Sequence, residues 1–459
     1  MSKLNAWRPL LIALIVIGIP VLAAAGTINV KTVPWVATNP LIPHDIWSGT
    51  FITLKGTADQ QGGSVVWVWD FGDGSNATGT VGNQYAIEAQ HVYTGTAGTI
   101  YTARLTVTNN NTGDTGTQVT YVAIRNKSLS VEVNRAIDEG LWYLHKNLSR
   151  YVDSYGQPAG DWSGMFYGFY GGNASTLQAF EVNGHLQTGD SSNPYVEDVQ
   201  RAMRSLFTQV ATAYIGGYST SGTGYGVGPN QGDQFYQGGM FMDAIVASGT
   251  PNATAPTGPS GGGPDPGIVG RTFKAIVWDM MDYYYYCQYP YTYGGWRYNC
   301  RDWPDNSASQ WGAIGILAVD RTWSVPIPAP LISLNINWLN YSQNPNTGWF
   351  GYPITIRFGD RMEPPALEWS NWIWTALAVA IPVGTWPRRL CGTTGMIRMA
   401  TACLRRTITM RLSHSRKRCC YTSRRSSCCT RRPRACPISI GTTPKSARAT
   451  RPTAWADSW

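Results

Sequence analysis

Along this chain the spacing of apolar residues changes once, and that change limits the fold more than any single motif. Between about Thr32 and Ile124, short runs alternate apolar and polar and are broken by Gly, Asn and Asp, as in an antiparallel sandwich whose strands bury one face. Trp67, Trp69 and Phe71 fall on one face of a strand, and Tyr101, Ala103, Leu105 and Val107 on one face of another. From Val133 onward the spacing becomes three and four, with Ile137, Leu141, Leu144 and Leu148 in one helical stripe. Further helices are expected from Ser175 to His185, Tyr195 to Ala213, Gln237 to Ala247, Val269 to Tyr286, Ser307 to Val319, Leu331 to Tyr341 and Ser370 to Ala380. The expectation is a multidomain chain: a β-sandwich at 32–124 and an all-α domain at 131–383, joined by a short hinge around Arg125 to Ser130. A length of 459 residues, more than one core usually organises, agrees with this.

Both ends differ from this body. Lys3 and Arg8 precede an apolar run from Pro9 to Ala25 that ends in three alanines, the order of a secretory signal. Residues 1–25 are therefore expected to be a signal peptide or an N-terminal membrane anchor, with the rest secreted or on the cell surface. Between Trp386 and Trp459, fifteen Arg and two Lys face a single acid, Asp457. The formal charge of +9 thus belongs to the tail, and the body is acidic. Nucleic acid is excluded as a partner of the body, and membrane contact is expected only through the N-terminal segment. Residues 384–459 lack apolar periodicity, favour Arg over Lys and interrupt the helical pattern abruptly, so they read as a disordered, frame-shifted continuation. The rival reading is a true basic tail for polyanions.

Three ordered motifs in the first domain are specific: Trp69-Asp70-Phe71-Gly72-Asp73-Gly74-Ser75, then His91-Val92-Tyr93, then Tyr101 to Asn109. Together they resemble the polycystic-kidney-disease (PKD) domain, which implies a seven-stranded immunoglobulin-like sandwich. Such domains serve extracellular proteins as a spacer or as a binder of protein or polysaccharide. Asp70 and Asp73 put two carboxylates on one turn, short of the roughly six to eight oxygens that calcium prefers. Turn stabilisation is the expected role, and His91 is expected to be structural.

The helices come in pairs separated by glycine-aromatic loops: Gly160 to Gly164, Gly294 to Tyr298, and Gly348 to Tyr352. Each loop precedes a small-polar helix start, which implies an array whose units bury one another. The segment from Gly294-Gly295-Trp296 to Ala318 resembles the α/α-toroid of terpenoid cyclases and prenyltransferases, implying an incomplete toroid here. In that family's Asp-x-Asp-Asp-Thr-Ala acid motif the matching residues are Trp303-Pro304-Asp305-Asn306-Ser307-Ala308. Asp305 takes the acid's place, while Trp303 and Asn306 replace the flanking carboxylates. Asp305 is thus the weak catalytic candidate, with capping of the Ser307 helix as the competing role.

No metal or cofactor is expected, because His145, His185, Cys287 and Cys300 lack ligand spacing. Cys287 and Cys300 suit a short disulfide in an oxidising compartment. Trp162, Trp296, Tyr298, Trp303 and Trp349 are candidates for a concave sugar platform, with Asp161, Asp302, Asp305 or Asp360 as acids; the alternative is that these rings pack the loops. The expected function is an extracellular binding or adhesion protein whose partner is a polysaccharide or a surface protein. The alternative is a secreted enzyme acting on a carbohydrate or isoprenoid.

Overall fold

The computed structural model describes residues 26–33, 39–166, 168–291, 293–343, 350–351 and 362–363. The expected segments at 1–25, Ser370 to Ala380 and 384–459, together with Trp349 and Asp360, lie outside them.

The first domain is a two-sheet structure of eight strands rather than the expected seven: β1 (Val30–Val33), β2 (His44–Trp47), β3 (Phe51–Ala58), β4 (Val65–Asp70), β5 (Asn76–Thr80), β6 (Ile87–Val92), β7 (Ile100–Asn109) and β8 (Thr115–Arg125). One sheet has the order β2-β8-β7-β4-β5 and the other β1-β3-β6. All pairings are antiparallel except β2 with β8. The inward set is the one the alternation requires, with Trp69, Ala103, Leu105 and Val107 fully buried alongside Ile52 and Leu54. At the β4–β5 turn Gly72 has φ of +75°, and a Cβ there would overlap the carbonyl oxygen of Thr102, so only glycine fits.

The second domain contains seven helices among the described residues: α1 (Leu129–Lys146), α2 (Tyr170–Val182), α3 (Pro194–Thr208), α4 (Gln234–Ala247), α5 (Phe273–Cys287), α6 (Asn306–Trp323) and α7 (Ala329–Ser342). Hairpins join α1 to α2, through β9 (Ser149–Val152) and β10 (Pro158–Asp161), and α3 to α4, through β11 (Val210–Tyr214) and β12 (Tyr225–Pro229). α4 packs between α2 and α6, while α3 lies against α2, and α5 against both α4 and α6. Contacts between the even-numbered helices run in step, Gly171 with Gln237 and Gln178 with Asp243, so α2 and α4 are parallel. Glycine brings α4 and α6 together: a Cβ on Gly239 would overlap the carbonyl of Trp311, and one on Gly315 would lie 2.6 Å from the carbonyl oxygen of Gly239.

Two expectations are corrected. The helix expected from Tyr195 to Ala213 ends at Thr208, and Val210–Tyr214 forms β11. Val210 and Thr212 are β-branched and find a partner strand in β12, so pairing overrides the apolar spacing that continued the helix. The Gly/Pro/Ser/Thr composition of Ser248 to Gly267 reads as a mobile loop inserted between repeats, but the segment is tied down instead. Ala255 and Thr257 are buried, Thr257 donates to Asp153 at 2.7 Å, and Ala255 N–H donates to the carbonyl of Arg271 at 2.9 Å.

The two domains share one compact unit and a buried seam. Only three residues separate β8 from α1, and Ser128 caps that helix by accepting from Val131 N–H. Val33 of β1 joins the helical core. The fully buried Lys55 of β3 pairs with Asp138 and, at 3.2 Å, with Glu139 of α1. His145 of α1 is held on both sides: Nδ1 lies 2.6 Å from Asp198 and Nε2 2.9 Å from the carbonyl of Tyr85. Arg150 completes the seam, 2.7 Å from Asp198 and 3.7 Å above the Tyr85 ring. Because such pairs are buried, removing one partner would strand the other.

The Gly239→Ala variant is expected to lose roughly 3 kcal/mol of stability by forcing α4 and α6 apart. Urea denaturation checks this, and a midpoint equal to wild type would contradict the close crossing.

Candidate functional site

The described residues of the expected sugar platform do not form one surface. Trp162 and Trp296 are 0% and 1% exposed, so neither is open to a ligand, and both are corrected to structural roles. Each is clamped in the same way. The backbone N–H of Trp162 donates to Asn173 Oδ1 of α2 at 2.9 Å and its indole N–H to the carbonyl of Leu144 near the end of α1 at 2.8 Å. Trp296 repeats the pattern, donating to Ser309 of α6 at 2.9 Å and to the carbonyl of Tyr284 in α5 at 2.8 Å. Each indole therefore joins an odd-numbered helix to the even-numbered helix that follows it. Asp161 is likewise occupied, accepting from Tyr151 at 2.9 Å and from Ser163 N–H at 3.0 Å.

A second group of aromatics does converge. Phe169, Tyr236, Tyr298 and Trp311 are half-buried at the starts of α2, α4 and α6, with ring centroids 5.8 Å apart for Phe169 and Tyr236, 6.5 Å for Tyr236 and Tyr298, and 6.4 Å for Tyr236 and Trp311. Of the predicted residues only Tyr298 belongs to it. Asp233, at φ of +60°, precedes α4 with an exposed carboxylate. Asp305 is fully buried and caps α6, accepting from Ala308 N–H at 2.8 Å with Arg297 3.5 Å away. Burial pushes its carboxyl up, and the Ala308 amide and Arg297 pull it back.

Sequence reasoning missed a pair of acids at the other end of these helices. Glu181 of α2 is 4% exposed and neither carboxylate oxygen has a hydrogen-bond partner. Burial raises it well above the usual carboxylate range, and the charge of Asp243 adds to that. Asp243 of α4 accepts from the Gln178 amide at 2.6 Å, and burial pushes it up to about 6. Helical spacing alone points to no such pair, because its two members come from helices more than 50 residues apart. Among the described residues, no group of three His, Cys, Asp or Glu is placed to hold a metal ion.

Trp303 is the one described tryptophan of the predicted set that remains open, at 53% exposed. It packs against Tyr289 with ring centroids 5.5 Å apart, and Tyr291, 68% exposed, flanks Tyr289 at 5.2 Å. Asp302 accepts from the backbone N–H of Trp303 at 2.8 Å. The loop behind them is closed by a disulfide between Cys287 and Cys300, with Cα atoms 4.4 Å apart.

In the sandwich, the turn motif supports itself. Asp70 accepts from Gly72 N–H, while Asp73 accepts from Ser75 and binds His91 at 2.6 Å. His91 stacks on Phe71 with centroids 4.0 Å apart, and Tyr93 donates its hydroxyl to the carbonyl of Phe71 at 2.9 Å. Turn, stack and hydroxyl clamp coincide with a match between residues 40–124 and the family model described as PKD domain. Residues 40–124 are a PKD domain. No curated protein matches the chain. Among solved structures, a family 76 glycoside hydrolase from a bovine Bacteroides thetaiotaomicron strain aligns with 78% of this chain and 76% of its own, at 10% identity and a TM-score of 0.36. The PKD match ends at Ile124, before the helices begin.

The raised Asp243 makes stability depend on pH. A carboxyl whose folded value lies above its ordinary 3.8 stabilises the fold while protonated, and that contribution is lost as pH rises towards about 6. The advantage of Asp243→Asn over wild type should therefore be small near pH 4 and grow to as much as about 3 kcal/mol above pH 6. Urea melts across that window check it, and a constant difference would contradict it.

Proposed function

We propose that this protein works outside the cell as a binding and adhesion module, with a polysaccharide or a surface protein as partner. The PKD domain supports the extracellular setting, since domains of this type are typical of extracellular proteins. The Cys287–Cys300 disulfide agrees with an oxidising compartment. No helix among the described residues is long and apolar enough to cross a membrane, and residues 1–25 are read as the export segment. In the same reading the paired helices are an incomplete α/α-toroid, and residues 384–459 continue it out of frame. Re-translating the nucleotides beyond codon 384 tests that last point.

One observation carries binding over catalysis: the aromatics and the acids Glu181 and Asp243 sit at opposite ends of the same helices. Tyr236 and Asp243 are seven residues apart on α4, about 10 Å along the axis, and Phe169, at the start of α2, and Glu181 are further apart still. A hydrolytic site needs both acids beside the stacked sugar. At the aromatic end Asp305 serves as a cap, leaving Asp233 as the free carboxylate among the residues described there. The second reading, a secreted enzyme on a carbohydrate or isoprenoid, is favoured by the raised values of Glu181 and Asp243, since perturbed acids mark many active sites.

On arrays of neutral and acidic polysaccharides the full chain should bind at least one glycan and release no reducing ends. Release that disappears in Glu181→Gln or Asp243→Asn would move the assignment to the enzyme reading.

A further inference from the structure

We infer that Lys55 and Asp138 condense into an amide bond that joins the sandwich covalently to α1, with Glu139 as the catalytic proton carrier. This goes beyond the binding reading and does not rest on it. Lys55 lies in the middle strand of its sheet, with its backbone paired to Val33 on one side and Glu88 on the other. Alternation turns its side chain away from Leu54 and the sandwich core and towards α1, where it is fully buried. Its Nζ lies 2.5 Å from Asp138 Oδ2 and 3.2 Å from Glu139 Oε1. Glu88, the cross-strand neighbour, does not compete for it, because Glu88 accepts from the Trp142 indole and from Lys146 at 2.7 Å.

As an ion pair this group is costly. Opposite charges are taken out of water, and both Asp138 Oδ1 and Glu139 Oε1 are buried without a hydrogen bond. Condensation removes both charges of the Lys55–Asp138 pair and one carboxyl oxygen from the interior. It also balances without a co-reactant. One proton passes from the Lys55 ammonium to Asp138 Oδ2, leaving a neutral amine and a carboxylic acid. The Nζ lone pair then attacks Cγ, which is bonded to Oδ2 and so lies beside the amine, as a near-attack arrangement requires. Glu139 takes a proton from Nζ and delivers it to the departing hydroxyl. The C–O bond breaks, water leaves, and Glu139 is again a carboxylate. His44 brings no charge to the reaction: its Nδ1 is 3.8 Å from Asp138 Oδ2, and burial lowers its pKa. The bond ties together residues 83 positions apart, constraining the unfolded chain as a disulfide does.

Tryptic digestion of the reduced and denatured full chain, read by mass spectrometry, tests this. Segment 32–104 should stay uncut after Lys55, since trypsin does not cleave after an acylated lysine, and should be joined to 136–146 with the loss of one water. Fragmentation should place the bond at Asp138. Lys55→Met strands Asp138 and loses stability with or without a bond, so Glu139→Gln carries the test. The Glu139 side chain is 37% exposed, and its replacement leaves the Lys55–Asp138 contact in place. This variant should keep the wild-type circular dichroism spectrum while its linked fraction, measured at equal times after purification, falls roughly tenfold or more. Separate peptides 32–55 and 136–146 in the wild type, with no joined species, would overturn the proposal and leave a salt bridge. Equal linkage in Glu139→Gln would remove Glu139 from the chemistry, and a bond found at Glu139 would replace Asp138; either result overturns the assignment.

Discussion

Two glycine-aromatic loops of the helical domain are each pinned by one indole, which donates its ring N–H to a carbonyl of the helix before it while its backbone N–H is caught by a side chain of the helix after it. A buried indole must find an acceptor, and a buried backbone N–H must find one too. Trp162 and Trp296 satisfy both demands by joining two helices that would otherwise be free to slide. The positions of α2 and α6 follow from these clamps. With them come the close crossing of α4 and α6, the cluster around Tyr236 and the site of the Glu181–Asp243 pair.

The seam between the sandwich and the helices extends this ordering across the domain boundary. Lys55, His145, Arg150, Asp138 and Asp198 are buried or nearly so, yet each has an ionisable partner or a carbonyl beside it. Such contacts cost desolvation and give geometric specificity in return. The PKD domain is therefore not a bead on a flexible string. The helical domain is held at a fixed angle to the sandwich by these buried contacts.

Much of the fold was legible because it depends on local pattern. The strand faces of Trp69 and Leu105 follow from alternation, and the helices follow from spacing of three and four. Gly72 and Asp73 announce their turn through chemistry that only such a turn needs. The candidate site was less legible. Trp162, Trp296 and Trp303 all lie within two residues of glycine or proline in aromatic loops, and nothing local distinguishes the two that pin helices from the one left open. The run Tyr283 to Tyr286 shows the same limit: Tyr284 is buried with its hydroxyl on the Phe235 carbonyl, while Tyr285 and Tyr286 meet Tyr218.

The amino-acid order alone determined that a sandwich precedes a set of paired helices, because period and turn chemistry act between near neighbours. It also marked Cys287 and Cys300 as possible partners and Asp305 as the cap of α6. Tertiary structure decided which aromatic rings face water, that Glu181 and Asp243 share a low-dielectric site, and that the segment from Ser248 to Gly267 is held down. These outcomes depend on the meeting of residues far apart in the chain, and burial, which sets both exposure and carboxyl charge, exists only after the helices have packed.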